Sequence, residues 1–284
     1  MREFIIKTIL FTLLPVLLYV GAFSFLKHQF ITRVEKSSII ILGDSHTEFI
    51  DLPNSYNRSK GGSPYFVHYF FCLDFIEQLK GKKIYIAYSF HNLSKLYQNR
   101  LANDSLFPNY KNNTLTMIDE FNLFNLPHNE IATNSNYTLF NIKKIKTLYN
   151  VTFSNNRKMQ SSKSICDKHK VAISTVTSRH YTNQNYILKD KIQHQYLHSM
   201  IELLNRNNCE VILLLTPLTT DYKKRIPTDI KKEYREFAHK NGVKVLDLDS
   251  ILSISDKCEY FKNYDHLNEY GNGLIEKYIL TLKQ

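Results

Sequence analysis

The chain opens with a long apolar run. Nineteen uncharged residues, Thr8 to Leu26, lie between Lys7 and Lys27, close to the roughly 20 that a helix needs to cross a bilayer core. Pro15 is tolerated in such a helix, and the run is longer than a signal-peptide core and continues through the cleavage-like triplet at 22–24. We therefore expect an uncleaved anchor with its linker over residues 1–36. A cleaved signal peptide and a buried soluble helix are the alternatives.

Short apolar strands then alternate with helical patterns. The predicted strands are Ser37 to Leu42, Lys83 to Tyr88, Glu210 to Leu215 and Val243 to Leu248. The predicted helices are Tyr65 to Leu79, Tyr186 to Leu204, Ile230 to His239 and Leu274 to Leu282. Continuous apolar strands between helices are typical of a parallel sheet that helices cover on both faces. The fold class predicted for residues 37–284 is therefore α/β.

One segment, at about 94–182, interrupts this alternation. It is rich in Asn, Ser, Tyr and Lys, and its clearest amphipathic stretch runs from Tyr137 to Val151. A loop of this length without secondary structure is uncommon inside a compact domain. We expect a helical insertion near the entrance of the site.

The charge favours an anionic neighbour. Lys and Arg number 37 against 26 Asp and Glu, a net charge of +11, which suits lipid headgroups, an acidic polysaccharide or nucleic acid. No nucleic-acid-binding motif accompanies the charge, so we expect no nucleic-acid partner. The four cysteines form no CxxC pair, and ligand-spaced histidines, a P-loop and a dinucleotide motif are missing from the sequence. We expect no metal and no cofactor, and disulfide pairing stays open.

The first candidate for chemistry is Ser45. The run Ile39 to Leu42 leads into Gly43-Asp44-Ser45, so a buried strand would deliver a serine to a strand-to-helix turn. Free N–H groups at the start of a helix can stabilise a developing oxyanion, which suits acyl transfer. The alternative is a turn that merely caps the helix.

The second candidate is His266, in the run Asn263-Tyr264-Asp265-His266 before the last helix. A serine hydroxyl is a weak nucleophile until a histidine accepts its proton, and a third group best holds that histidine. The two segments are far apart in sequence but can supply this arrangement. A single loop histidine among the eleven of the chain would otherwise be inert.

Taken together and in this order, the two segments resemble the first and last motifs of the SGNH (GDSL-like) hydrolases. The resemblance spans about Ser37 to Gln284 without the insertion. It implies a flavodoxin-like sheet, with Ser45 as nucleophile and His266 as base. It also implies an oxyanion hole made of the Ser45 N–H, the Gly62 N–H and the Asn92 side chain.

The chain departs from the family pattern at the acidic residue. The acid three places before the histidine falls on Asn263. In order of preference, either a Ser–His pair is oriented by Asn263 or a backbone carbonyl, Asp265 replaces the acid, or catalysis is lost. Because Asp265 adjoins His266, we expect its side chain to point away from the imidazole.

Together these features predict a serine esterase or O-acyltransferase. It would act through an acyl-enzyme on acyl esters of a cell-envelope glycan or similar surface polymer. The alternative is a non-catalytic SGNH-fold binding or scaffold subunit of a membrane polysaccharide assembly system. The predicted location is the inner or plasma membrane, with a single span, the amino terminus inside and the domain outside the cytoplasm.

Overall fold

Five parallel strands form the sheet at the centre of the protein. The computed structural model describes residues 1–94, 96, 142–153, 164–167, 173–181 and 191–282. The strands are β1 (Ile39–Leu42), β2 (Ser55–Asn57), β3 (Lys83–Ala87), β4 (Glu210–Leu215) and β5 (Lys244–Asp247), in the order β2-β1-β3-β4-β5. This order is that of flavodoxin-like folds, whose ligands bind at the carboxyl ends of the strands. The predicted α/β class is confirmed, and β2 is a further strand that the sequence pattern did not indicate.

Helices cover both faces of this sheet. They are α1 (Arg2–Lys36), α2 (Tyr65–Asp74), α3 (Ile76–Leu79), α4 (Ile142–Phe153), α5 (Ile173–Tyr181), α6 (Lys191–Arg206), α7 (Thr220–Lys224), α8 (Thr228–Lys240), α9 (Leu248–Leu252) and α10 (Glu269–Thr281). Single 3-10 turns occur at Ile165–Asp167 and Cys258–Tyr260.

Alternate strand residues divide the core into two layers. In β1, Ile40 and Leu42 join the cluster that includes α1, α2 and α6, whereas Ile39 and Ile41 join the cluster that includes α10. All four are at most 1% exposed. Burial on both faces explains why the strands read as continuous apolar runs rather than as an alternating pattern.

Helix α1 has two parts with different surroundings. Phe11, at 82% exposed, and Leu18, at 64%, belong to an apolar stretch that contacts little of the domain. From Phe23 onward one face is buried, and Phe30 packs its ring 5.2 Å from that of Phe75. Within the described residues, the segment Leu13–Lys36 is long and apolar enough to span a membrane. The helix continues beyond the apolar run into the core without a break.

The described parts of the insertion are helical and pack on the domain. Helix α4 lies along α1, where an Arg33 guanidinium N–H donates to the Thr152 carbonyl at 2.9 Å. Helix α5 packs through Val176 against a small cluster around Tyr222. A disulfide joins Cys166 to Cys258, with Cα atoms 5.4 Å apart. The first residues of the predicted amphipathic stretch, 137–141, lie outside the described residues.

Candidate active site

Ser45 lies just beyond the carboxyl end of β1. The segment that follows is a tight turn at 45–49, held by Thr47 N–H to Asp44 C=O at 3.3 Å and Ile50 N–H to Thr47 C=O at 3.2 Å. The predicted helix after the serine is therefore wrong. The chain needs this turn because only 12 residues separate β1 from β2, which pairs with β1 in parallel.

His266 reaches Ser45 from the opposite end of the chain. Its Nε2 atom lies 2.7 Å from the Ser45 Oγ atom. The histidine lies on the short loop 262–266 that the bridge between Phe261 and Leu267 closes, just before helix α10, which Asn268 caps by accepting the Gly271 N–H at 3.1 Å. The two distant motifs therefore meet at the carboxyl edge of the sheet, within direct hydrogen-bond distance.

Two side chains hold the other ring nitrogen of His266. Its Nδ1 atom lies 2.8 Å from Asp265 Oδ1 and 3.1 Å from Asn263 Oδ1. The expectation that Asp265 would point away from the imidazole is wrong. Asn263 Oδ1 also accepts the backbone N–H groups of Asp265, at 3.1 Å, and His266, at 2.8 Å. This bent loop turns the carboxylate back onto its neighbour.

The Asp265 carboxylate is buried, at 1% exposed. Burial by itself raises its pKa, but the hydrogen bond and charge of His266, together with the charges of His46 and His180, lower the pKa well below the usual range. Its Oδ2 atom has no hydrogen bond to the described residues but lies 3.7 Å from the Arg179 guanidinium of α5. Asp265 is therefore an ionised acid behind the imidazole, the arrangement that stabilises an imidazolium.

The residues predicted for an oxyanion hole lie on two neighbouring loops. The Asn92 side chain accepts the Ser89 N–H at 2.6 Å and donates to Asp44 Oδ2 at 2.7 Å. Gly62 has a φ of 77°, in the left-handed region. The preceding Gly61 adjoins the serine, since a Cβ on it would stand 3.8 Å from the Ser45 Cβ. Their roles toward an oxyanion stay predictions.

Asp44, the residue before the serine, ties these loops together. Its carboxylate accepts hydrogen bonds from the His46 backbone N–H at 3.0 Å, His46 Nδ1 at 3.1 Å, His91 Nε2 at 2.7 Å and Asn92 Nδ2 at 2.7 Å. Burial by itself raises its pKa, but the charges of and hydrogen bonds from His46 and His91 lower it well below the usual range. The buried carboxylate thus fixes the loops that follow β1 and β3.

A row of stacked imidazoles runs through the site. The His46 ring lies 4.4 Å from that of His266 and 4.3 Å from that of His91, and His91 lies 4.9 Å from His180. Three of the four, His46, His91 and His180, were not singled out from the sequence. For two of them the position in the sequence is a signal, because His46 directly follows the serine and His91 directly precedes Asn92.

Two groups in this network have donor types that bind metals. They are Asp44 with His46 and His91, and His46 with Asp265 and His266. In the first group the Asp44 carboxylate accepts hydrogen bonds from the His46 backbone N–H and from the rings of His46 and His91. The second group contains His266 Nε2, the nitrogen that lies 2.7 Å from Ser45 Oγ. Among the described residues, His46 Nε2 and Asp265 Oδ2 have no hydrogen-bond partner, and the sequence-based expectation of no metal stays an expectation.

Comparisons with known proteins found similarity to solved structures at low sequence identity. No family model and no curated protein sequence matches it. A structure from Bacteroides fragilis, provisionally assigned as an acylhydrolase, has a TM-score of 0.39 at 13% identity and covers 86% of this chain and 85% of its own. A GDSL-like lipase from Bacteroides thetaiotaomicron has a TM-score of 0.39 at 12% identity, with 87% of both chains covered. A likeness at this level bears on neither substrate nor activity.

Proposed function

We propose that this protein is a serine-dependent esterase or O-acyltransferase of the SGNH type. The observation that carries the proposal is one continuous chain of hydrogen bonds. It runs from the Ser45 Oγ atom to His266 Nε2 at 2.7 Å, and from His266 Nδ1 to Asp265 Oδ1 at 2.8 Å. A nucleophile, a base and an orienting acid in this geometry are the parts that acyl transfer requires.

In the first half of the reaction Ser45 Oγ attacks the carbonyl carbon of an acyl ester. His266 Nε2 takes the hydroxyl proton as the new C–O bond forms, and the buried Asp265 carboxylate stabilises the resulting imidazolium. The tetrahedral intermediate collapses when the ester C–O bond breaks. His266 then passes its proton to the departing alkoxide oxygen, which leaves an acyl group on Ser45.

In the second half an incoming hydroxyl group releases the acyl group. His266 Nε2 accepts the proton of that hydroxyl as its oxygen attacks the acyl-enzyme, and returns the proton to Ser45 Oγ. Water as the nucleophile gives hydrolysis, whereas a sugar hydroxyl gives transfer. The same three residues serve both outcomes.

The substrate we propose is an acylated, anionic glycan or a similar surface polymer. Its support is the net charge of +11 and a cleft of about 520 Å³ at the carboxyl ends of β4 and β5. Aromatic Phe90 and Tyr234 and the cations Lys231 and Arg235 line this cleft. Phe90 directly precedes His91 of the imidazole row in the sequence, although Ser45, His266 and Asp265 do not themselves line this cleft.

We place the domain outside the cytoplasm, attached to the inner or plasma membrane by α1. The exposed apolar stretch of α1, with Phe11 at 82% and Leu18 at 64% exposed, supports the anchor. The Cys166–Cys258 disulfide supports the outward side, because such bonds persist in oxidising compartments. Fusing reporters to Gln284 tests this: alkaline phosphatase activity without cytoplasmic fluorescence is expected, and the reverse pattern refutes the outward placement.

Covalent labelling with a fluorophosphonate probe tests the enzymatic proposal, since only an activated serine reacts readily. We expect labelling of the full-length protein that Ser45→Ala abolishes and that Ser178→Ala, which alters an exposed serine of α5, leaves intact. Hydrolysis of p-nitrophenyl acetate should follow the same pattern. A folded protein that stays unlabelled would instead support a non-catalytic binding or scaffold subunit.

A further inference from the structure

We propose that His46 is a positioning residue for His266. With Asp44 it forms a second aspartate–histidine pair, whose ring fixes the plane of the His266 imidazole and presents its aromatic face to it. This inference rests on the proposed function and adds a residue to that site.

The first support is the stacking geometry. The His46 and His266 rings are 4.4 Å apart and inclined by only 24°. The other face of His46 lies against His91, at 4.3 Å and 31°. A ring packed on both faces cannot rotate without displacing its neighbours, so His46 limits how far the His266 ring can tilt away from Ser45.

The second support is the hydrogen bonding of His46. Asp44 Oδ1 accepts from the backbone N–H of His46 at 3.0 Å and lies 3.1 Å from its Nδ1 atom. Because the Asp44 carboxylate is ionised, the ring proton belongs on Nδ1. Asp44 therefore sets the tautomer and the plane of His46 just as Asp265 sets those of His266.

The third support is the remaining nitrogen of His46. Its Nε2 atom is buried and has no hydrogen-bond partner among the described residues. A buried nitrogen without a partner destabilises the fold, so its presence needs an explanation. What the ring does offer is its flat face toward His266.

This face matters at the moment His266 takes the serine proton. The new imidazolium has the Asp265 carboxylate at its edge and the His46 ring on its face. A cation over an uncharged aromatic face is attracted to it, whereas a second cation would repel it. The Asp44 carboxylate, on the far edge of His46, adds a second negative charge to the site.

Three His46 variants separate these contributions in the full-length protein. His46→Leu removes the flat ring, His46→Phe restores a flat uncharged face, and His46→Gln keeps a donor for Asp44 without a ring. We expect His46→Leu and His46→Gln to lower kcat on p-nitrophenyl acetate by about 10- to 100-fold with little change in KM, the scale of a misplaced catalytic group. His46→Phe should recover most of the loss. The acidic limb of the kcat/KM profile, which reports the base, should move in His46→Leu and return in His46→Phe.

His91→Leu is the matched control. This variant removes the 2.7 Å hydrogen bond from His91 Nε2 to the same Asp44 carboxylate. It also removes the ring that packs on the other face of His46. We expect a comparable fall in melting temperature but a smaller fall in kcat than for His46→Leu. Equal losses of kcat in the two variants, or failure of His46→Phe to recover activity, would overturn the positioning role.

A readout that needs no activity keeps this inference separate from the proposed function. In Ser45→Ala protein with ¹⁵N-labelled histidine, NMR reports the tautomer and titration of each imidazole. We expect His46 and His266 to carry their protons on Nδ1, and the titration midpoint of His266 to shift when His46→Leu is added. A proton on His46 Nε2, or an unshifted midpoint, overturns the inference about His46. Absent fluorophosphonate labelling of Ser45 overturns only the proposed function.

Discussion

The Asp265 carboxylate meets the Nδ1 atom of its own neighbour, His266, at 2.8 Å. Side chains of adjacent residues usually diverge, and here the loop bends because Asn263 Oδ1 accepts both of their backbone N–H groups. Asn263 therefore shapes the loop, and Asp265 supplies the charge. The acid of the site lies at the position next to the histidine rather than three places before it.

Exchanging the two groups tests this division of roles. Asp265→Asn should lower kcat by roughly 10³- to 10⁴-fold, the scale of losing the orienting acid of a serine protease triad. Asn263→Asp keeps the acceptor for both backbone N–H groups and should retain activity within a few-fold. Steady-state hydrolysis of p-nitrophenyl acetate measures both. A larger loss from Asn263→Asp than from Asp265→Asn would make Asn263 the orienting group.

Adjacent glycines test the predicted oxyanion hole. Gly62 has a φ of 77°, a conformation that costs a residue with a side chain about 1–2 kcal/mol. If its N–H is an oxyanion donor, Gly62→Ala should lower kcat by about 10²- to 10³-fold. Gly61→Ala is the control, because its Cβ would meet a flexible Glu48 carboxylate at 3.3 Å. Equal effects on kcat in the two variants would remove Gly62 from the oxyanion hole.

The buried His68 predicts acid sensitivity. Burial, followed by the charge of Arg58, lowers its pKa from 6.5 to about 3. Between these values the unfolded chain binds the extra proton and the folded protein does not, so the free energy of unfolding falls as pH drops from 6.5 toward 3. The slope from this group is about 1.4 kcal/mol per pH unit.

Urea unfolding at pH 7, 6, 5 and 4 measures that slope. His68→Leu loses the hydrogen bond from Nε2 to the Gly43 carbonyl at 3.0 Å, so it should be less stable at pH 7. Its stability should nevertheless decline less steeply with acid than that of the wild type. Parallel curves for the two proteins would show that folding does not lower the pKa of His68.

The disulfide between Cys166 and Cys258 ties the insertion to the loop that leads to His266. Because it closes a separation of 92 residues, reduction should lower the free energy of unfolding by about 2–4 kcal/mol. The double variant Cys166→Ser/Cys258→Ser should unfold at the same urea concentration with and without reductant. A wild-type protein that unfolds at the same urea concentration with and without reductant would indicate that the disulfide contributes nothing to stability.

The sheet was largely predictable because its strands are buried on both faces. Four strands stand out as apolar runs, and their observed bounds differ from the predicted ones by at most two residues. Strand β2 is three residues long and carries Ser55 and Asn57 beside the buried Tyr56, so no apolar run in the sequence indicates this strand. The same short β1–β2 connection replaces the expected helix after Ser45 with a turn.

Ser45 and His266 were predictable because each lies where a strand end or a helix start delivers a side chain to the carboxyl edge. The sequence favours Asn263 over Asp265 as the group that orients His266, because the contact of Asp265 with His266 depends on backbone turns that sequence spacing does not encode. The stacking of His46 on His266 depends on how two distant loops approach each other. Only tertiary packing reveals such a contact.

The continuity of α1 determines how the domain is connected to the proposed membrane span. Pro15 is exposed and Tyr19, one turn later on the same face, is only 9% exposed, and four residues of helix separate them by only about 6 Å. A helix that passes directly from the proposed membrane span into the core is a rigid connection without a flexible linker. With such an anchor the domain would stay close to the bilayer. On the proposed function it would act within a thin layer of the envelope next to the membrane, and its polymer substrate would have to enter that layer.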